Sequence, residues 1–153
     1  MVSMEINPTL EVHLGYWLRR VSSHISGAFA RALQARRTSV AEWVVLNHLQ
    51  GRQGTTPGEL ADALGMTRGA VSKVLDKLEA KHWITRATKR EDNRIQLLSL
   101  TRPGRHVLPQ LAELADRNDE QFFDCLDPGD RATLRRLLQK LSDRHRIHDV
   151  PIE

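Results

Sequence analysis

The chain has 153 residues, 40% hydrophobic and 27% charged, which is the composition of a globular domain or of two small intertwined ones and not of a disordered chain. Its formal net charge is +4 and it holds one cysteine, Cys125, which excludes an internal disulfide framework and a Cys-based zinc cluster. No apolar run approaches the ~18 residues of a membrane span, and no basic head precedes an apolar stretch at Met1–Pro8, so no membrane association or secretory signal is expected and a cytoplasmic setting is.

Asn7-Pro8-Thr9 opens the first predicted element. Apolar residues then recur at Leu10, Leu14, Leu18, Val21, Ile25, Ala28 and Ala32, in steps of three and four, with Trp17 and Phe29 widening the stripe. This predicts one amphipathic helix of about 26 residues, ~39 Å long, ending at Arg36-Arg37-Thr38. Ser39-Val40-Ala41-Glu42 is a capping-box pattern that starts a second helix, to about Gln50. Gly51-Arg52-Gln53-Gly54 breaks it. Thr56-Pro57-Gly58-Glu59 repeats the capping signature ahead of a short third helix to Leu64, and Thr67 caps a fourth that runs to about Lys81.

After His82 the period changes from helical to alternating. Trp83–Thr88 and Ile95–Leu97 read as two strands of a hairpin, with the polar tip Lys89-Arg90-Glu91-Asp92-Asn93-Arg94 between them. Thr101-Arg102-Pro103-Gly104 opens a fifth helix, with Val107, Leu108, Leu111, Leu114 and Ala115 on one face, continuing to Phe122 and Leu126. Asp127-Pro128-Gly129-Asp130 stops it and caps a sixth, which carries Leu134, Leu137, Leu138 and Leu141. The expected fold is mainly α with a small β-wing, about six helices plus a hairpin. The long outer helices cannot bury their stripes on so small a centre, and a second copy of the chain is the simplest cover.

Leu60-Ala61-x-x-Leu64-Gly65-Met66, followed by Val71 and Val74, has helix-turn-helix spacing. Ala61 must be small where two helices cross, and Gly65 suits the tight turn. Leu64, Met66, Val71, Val74 and Leu78 make the small core. Arg68, Gly69, Ser72, Lys73, Asp76 and Lys77 fall on the opposite, polar face of the fourth helix, as a helix entering the major groove requires. The charge is concentrated in the same place. Between Met66 and Arg94 stand eight basic residues (Arg68, Lys73, Lys77, Lys81, Arg86, Lys89, Arg90 and Arg94) against four acids, and the rest of the chain is balanced. Such a surface favours a polyanion. At the hairpin tip, Arg90 and Arg94 suit a minor groove, with Asp92 placed to hold Arg94 by a bidentate contact. The plainer alternative is a solvated charged face with an incidental ion pair.

Asp92-Asn93-Arg94-Ile95-Gln96-Leu97-Leu98-Ser99-Leu100-Thr101 resembles the wing signature of the MarR (multiple-antibiotic-resistance regulator) family, in which an aspartate and an arginine two apart precede an apolar strand ending in Leu-Thr. Leu60–Ser72 resembles the family's helix-turn-helix. So does Val74–Ile84, although the family usually has Gly-Leu where this chain has His82-Trp83. The resemblance covers essentially the whole chain. It implies a winged helix-turn-helix at residues 38–101, flanked by a helical dimerisation region at 1–37 and 102–153. It also implies a homodimeric transcription regulator, usually a repressor released by a small ligand or by oxidation. Carried over by position, Thr67, Arg68, Ala70, Ser72 and Lys73 would meet bases and phosphates of double-stranded DNA, Lys77 a phosphate, and Arg90 and Arg94 the minor groove. The two recognition helices of a dimer would stand about 34 Å apart and demand a pseudo-palindromic site.

Many members bind aromatic acids between the dimer helices and the winged helix, which makes His13, Trp17, Arg20, Trp43 and Asn47 the candidates for a small-molecule effector. Aromatic side chains dominate cores, so packing is the competing role for both tryptophans. Cys125, among Phe122, Phe123 and Leu126, is expected to be a buried structural thiol, since reactive thiols need an electropositive, exposed setting. His145 and His148 stand three apart with no carboxylate cluster to complete a metal site. No activated nucleophile, phosphate loop or paired carboxylates stand out, so no catalytic site, metal or cofactor is expected. Three other functions stay open: a winged helix that binds protein, a nonspecific DNA binder, and a small hydrolase.

Overall fold

The computed structural model describes residues 9–89 and 91–152, with Lys89, Asp92 and Asn93 described by their backbone alone. Among these residues are six helices and one hairpin, in the expected order: α1 (Leu14–Gln34), α2 (Val40–Leu49), α3 (Pro57–Leu64), α4 (Arg68–Ala80), β1 (Ile84–Lys89), β2 (Asp92–Leu100), α5 (Arg102–Phe123) and α6 (Pro128–Arg144).

Side-chain caps place five of the helix starts. Ser39 Oγ accepts from the Glu42 N–H at 3.1 Å while the Glu42 carboxylate accepts from the Ser39 N–H at 3.2 Å, and Thr56 and Glu59 do the same for α3. Thr67, Thr101 and Asp127 each accept from the N–H three residues on. Each such cap contributes about 1 kcal/mol by satisfying an orphan donor. The first helix lacks one and starts later than expected. His13 takes the cap position with no side-chain bond, and Trp17 Nε1 instead donates to the Glu11 carbonyl at 2.8 Å. The helix therefore has 21 residues, not about 26.

The core lies where α2, α3, α4 and the hairpin meet the start of α5. Val45, Leu46 and Leu49 of α2, Leu60 and Leu64 of α3, Val71, Leu75 and Leu78 of α4, and Leu98 of β2 are all buried. α1 joins this core through Leu33, one position beyond the stripe read from the sequence, with Phe29 one turn earlier packed beside it. Its N-terminal half adds no residue to this core. Leu14, Trp17, Leu18 and Val21 are 40–86% exposed, as are Leu137, Leu138 and Leu141 of α6 at 41–49%.

The hairpin is longer than its alternating pattern suggested. β2 begins at Asp92, not Ile95, because pairing resumes past an irregularity at Thr88/Lys89, where Lys89 lies opposite Asp92. The six-residue tip thereby shortens. Thr55 adds an isolated antiparallel bridge to Leu98, whose N–H donates to the Thr55 carbonyl at 2.7 Å. Cys125 also departs from expectation. It is exposed, because α5 stops at Phe123 and the cysteine falls in the turn before α6, with Sγ 4.0 Å from the Phe122 carbonyl.

The hairpin is tied to both flanking helices at one point. α4 ends with His82 in the left-handed region, φ +59°, and the Trp83 N–H reaches back to the Leu78 carbonyl at 3.1 Å. This is the position glycine favours, and the sequence places histidine there. Thr101 Oγ1 donates to the His82 carbonyl at 2.6 Å, and the Thr101 N–H donates to the Trp83 carbonyl at 3.0 Å. Gly104 then passes so close that a Cβ on it would stand 2.0 Å from the Trp83 oxygen.

Two stability predictions result. Gly104→Ala forces backbone from backbone and is expected to cost about 3 kcal/mol, a fall of roughly 6–12 °C in melting temperature; an unchanged melting temperature would refute the close approach. His82→Gly relieves left-handed strain of about 1–2 kcal/mol against about 0.5–1 kcal/mol of extra unfolded-chain freedom, so thermal denaturation should shift upward by roughly 1–3 °C. A downward shift would show that the His82 side chain makes a stabilising contact.

Candidate nucleic-acid interface

Burial along α4 alternates with the helical period. Val71, Val74, Leu75 and Leu78 are buried, whereas Arg68, Gly69, Ser72, Lys73, Asp76 and Lys77 are exposed. Leu75 is the one buried position absent from the core read in the sequence; it extends the stripe of Val71 by four residues. Two small residues set the helix's entry. Ala61 is almost fully buried where α3 and α4 cross, and Gly65 turns the chain at φ +65°, with the Met66 N–H bonded to the Ala61 carbonyl at 3.0 Å. Thr67, read as a base contact, also caps α4. Its oxygen is committed to the Ala70 N–H while its O–H remains a donor. Arg68 lies beside the first turn of α3, with Nη2 3.6 Å from the position of a Cβ on Gly58. Ala70 is half-buried between the two faces.

The wing is fixed to α4 by an arginine whose role the sequence did not reveal. Side chains two apart in a strand share a face, so Arg86 follows the buried Ile84 toward the core. There it meets α4. Nη2 donates to Asp76 Oδ1 at 2.7 Å, and Nε stands 3.5 Å from Glu79 Oε2, an ion-pair distance that leaves this buried nitrogen without a hydrogen bond. Strand β1 is thereby clamped to the helix that would enter the neighbouring groove.

A second clamp holds the other end of α4. Lys81 Nζ donates to both the Glu42 carboxylate and the Arg37 carbonyl, and stands 4.9 Å from the centre of the Trp83 ring. The Glu42 side chain is only 5% exposed, and this partner and the Ser39 N–H supply its hydrogen bonds. Lys81 and Arg86, counted in the basic excess, thus serve the fold. Arg68, Lys73 and Lys77 keep their charges on the open face of α4.

At the wing, Arg94 is exposed on β2. Arg90, and the side chain of Asp92 with its expected contact to Arg94, lie outside the described residues. The five effector candidates fall into two groups. Trp43 packs edge-to-face on Phe29 at 6.1 Å, with Asn47 bonded through Nδ2 to the Trp43 carbonyl at 2.9 Å. Trp17 is exposed under the Arg20 guanidinium at 5.5 Å, and His13 stays local through Nδ1 and the Thr9 carbonyl at 3.2 Å. Trp17 and Phe29 are separated by about 18 Å along α1. Next to Asn47 on α2, His48 is held below its ordinary pKa by burial and then by the Arg52 charge, so protonating it in mild acid works against folding.

The clamps and the open face respond differently to mutation. Lys77→Ala is expected to weaken duplex binding and lower the salt slope by about 1. Arg86→Gln is expected to weaken it roughly tenfold by releasing the wing, with the slope held, because no phosphate contact is lost. Equal loss of slope in the two variants would place Arg86 on the nucleic acid instead.

Proteins of known function are similar to this chain in sequence and fold. The MarR family profile matches residues 38–95, from the α1–α2 junction into β2. The multiple antibiotic resistance protein MarR of Escherichia coli is 30% identical over 104 residues, 67% of this chain and 72% of that protein. The structure of a cysteine-to-serine mutant of E. coli MarR complexed with operator DNA aligns with TM-score 0.72 at 27% identity, covering 84% of this chain and 92% of that one. The transcriptional repressor CouR, bound to a 23-mer DNA duplex, aligns with TM-score 0.77 at 28% identity, covering 87% and 94%. A helix-turn-helix built on Ala61 and Gly65, a hairpin clamped beside it and relatives matched along most of their length lead to one assignment: the chain belongs to the MarR family of winged helix-turn-helix transcription regulators.

Proposed function

We propose that the chain is a homodimeric repressor that binds a pseudo-palindromic operator and is released by a small ligand. The observation that carries this function is the open face of α4: Arg68, Ser72, Lys73 and Lys77 stand exposed around Gly69, beside a hairpin held in a fixed relation to them by Arg86. Glycine lets the backbone approach base edges, and the basic side chains supply donors for bases and phosphates. Thr67, Arg68, Ala70, Ser72 and Lys73 would enter the major groove and Lys77 would take a phosphate. Arg90 and Arg94 would reach the minor groove, with Asp92 steadying Arg94. Double-stranded DNA as the ligand is supported by CouR and E. coli MarR, both solved on DNA. Repression is supported by CouR, a repressor.

The division of labour follows the fold. Residues 38–101 would read DNA, and 1–37 with 102–153 would join two copies. The exposed stripes of α1 and α6 support the second part, since a monomer would leave Leu14, Leu18, Leu137, Leu138 and Leu141 in water. Binding to the chromosome would place the protein in the cytoplasm. An aromatic acid is the proposed ligand, seated beside Trp43 and Asn47 or beside Trp17, Arg20 and His13.

Titration with the duplex upstream of the protein's own coding region, against a scrambled duplex at two salt concentrations, tests this function. A preference of about 10³-fold or more that survives higher salt is expected, with a molar mass near twice 17.4 kDa. Lys73→Ala should weaken both the affinity and the salt slope. Equal affinity for both duplexes would indicate a nonspecific binder, and no binding at low salt would redirect the winged helix to a protein partner.

A further inference from the structure

The C-terminal tail makes contacts that neither the winged helix nor a dimer of α1, α5 and α6 explains. α5 begins at Arg102, just past the hairpin, and α6 follows it from Pro128 to Arg144. α6 ends in a Schellman turn: the Ile147 N–H bonds to the Ser142 carbonyl at 2.9 Å, the Arg146 N–H bonds to the Asp143 carbonyl at 3.2 Å, and Arg146 takes φ +52°. This turn redirects the chain onto the winged helix. Asp149 Oδ1 comes to 3.6 Å from the position of a Cβ on Gly65, in the turn between α3 and α4. Val150 packs half-buried against the hydrophobic core. Ile152, also half-buried, lines a cavity of about 420 Å³ at the elbow between α1 and α2, beside Gln34, Arg37, Thr38 and Val40.

Those two anchor points are the ones that aim α4. Its N-terminus hangs from Gly65, and its C-terminus is latched through Lys81 to the Arg37 carbonyl of the same elbow. We propose that Asp149–Ile152 is a strap whose residues position the recognition helix, carrying the end of α6 onto both ends of its mounting. The consequence for operator binding rests on the function proposed above; the mechanical claim does not.

Truncation after His148 tests it, with Val150→Asp as the point variant and Val150→Ile as the conservative rescue. Amide hydrogen exchange in the DNA-free protein is the first readout. Exchange at Gly65–Thr67 and at Arg36–Val40 should accelerate about tenfold in the first two variants and recover in the third. Operator affinity is the second. Truncation removes the carboxylates of Asp149 and Glu153, so charge alone predicts tighter binding to a polyanion. The strap predicts the opposite sign, weaker binding by roughly 3–10-fold with the salt slope unchanged. Unchanged exchange at both anchors, or tighter operator binding after truncation, would overturn the strap. Accelerated exchange in a protein whose full chain binds no duplex would uphold the strap and sink the operator function. Should the truncated chain not fold, Val150→Asp carries the same two readouts.

Discussion

Three consecutive residues, Lys81-His82-Trp83, hold the winged helix together. α4 ends there, β1 begins there, and Thr101, which joins β2 to α5, bonds back to two of their carbonyls. Lys81 spans from the face of Trp83 to the buried Glu42, so the same knot reaches the start of α2. His82 accepts left-handed strain to make the turn, and Gly104 gives up its side chain to let α5 pass. Were this knot loosened, α4, the wing and α5 would lose their common reference. Two grooves of a duplex can be read together only if the elements that enter them share one.

Charge in the central segment has two jobs, and burial sorts them. Arg86, itself largely shielded, and Lys81, whose partner Glu42 is buried, act as clamps. Arg68, Lys73 and Lys77 are open to solvent. A protein that binds a polyanion gains most from charges that shed water only on contact, whereas a charge already paired inside adds rigidity. Net charge by itself records neither distinction.

Much of the architecture was legible in the sequence because its signals are local. The capping boxes at Ser39 and Thr56, the caps at Thr67, Thr101 and Asp127, and the glycine at 65 each act within a turn, and the elements they bound begin where they point. What stayed hidden depends on contacts distant in sequence. α1 starts at Leu14, after an N-cap residue, His13, that makes no side-chain bond and so leaves no local mark in the sequence. Arg86 looked like surface charge because its acids lie ten and seven residues away on another element. The Thr55 bridge to Leu98 crosses 43 residues and leaves no periodic trace. Cys125 was placed inside a helix that ends two residues earlier. At the candidate interface, the exposed positions of α4 followed from the 3.6-residue period alone, and the two-residue period, carried one step past Ile84, would have turned Arg86 inward.

In the proposed complex, α4 and the wing would meet one duplex together, in adjacent grooves, from each half of a dimer. Chemical footprinting of the bound operator tests it most directly, with methylation protection reading major-groove guanines and hydroxyl radicals reading the minor groove. Two major-groove patches are expected, centred about one helical turn apart, each flanked on its outer side by a minor-groove patch that vanishes when Arg94 is replaced by alanine. A single patch, or major-groove protection with no flanking minor-groove contact, would contradict it.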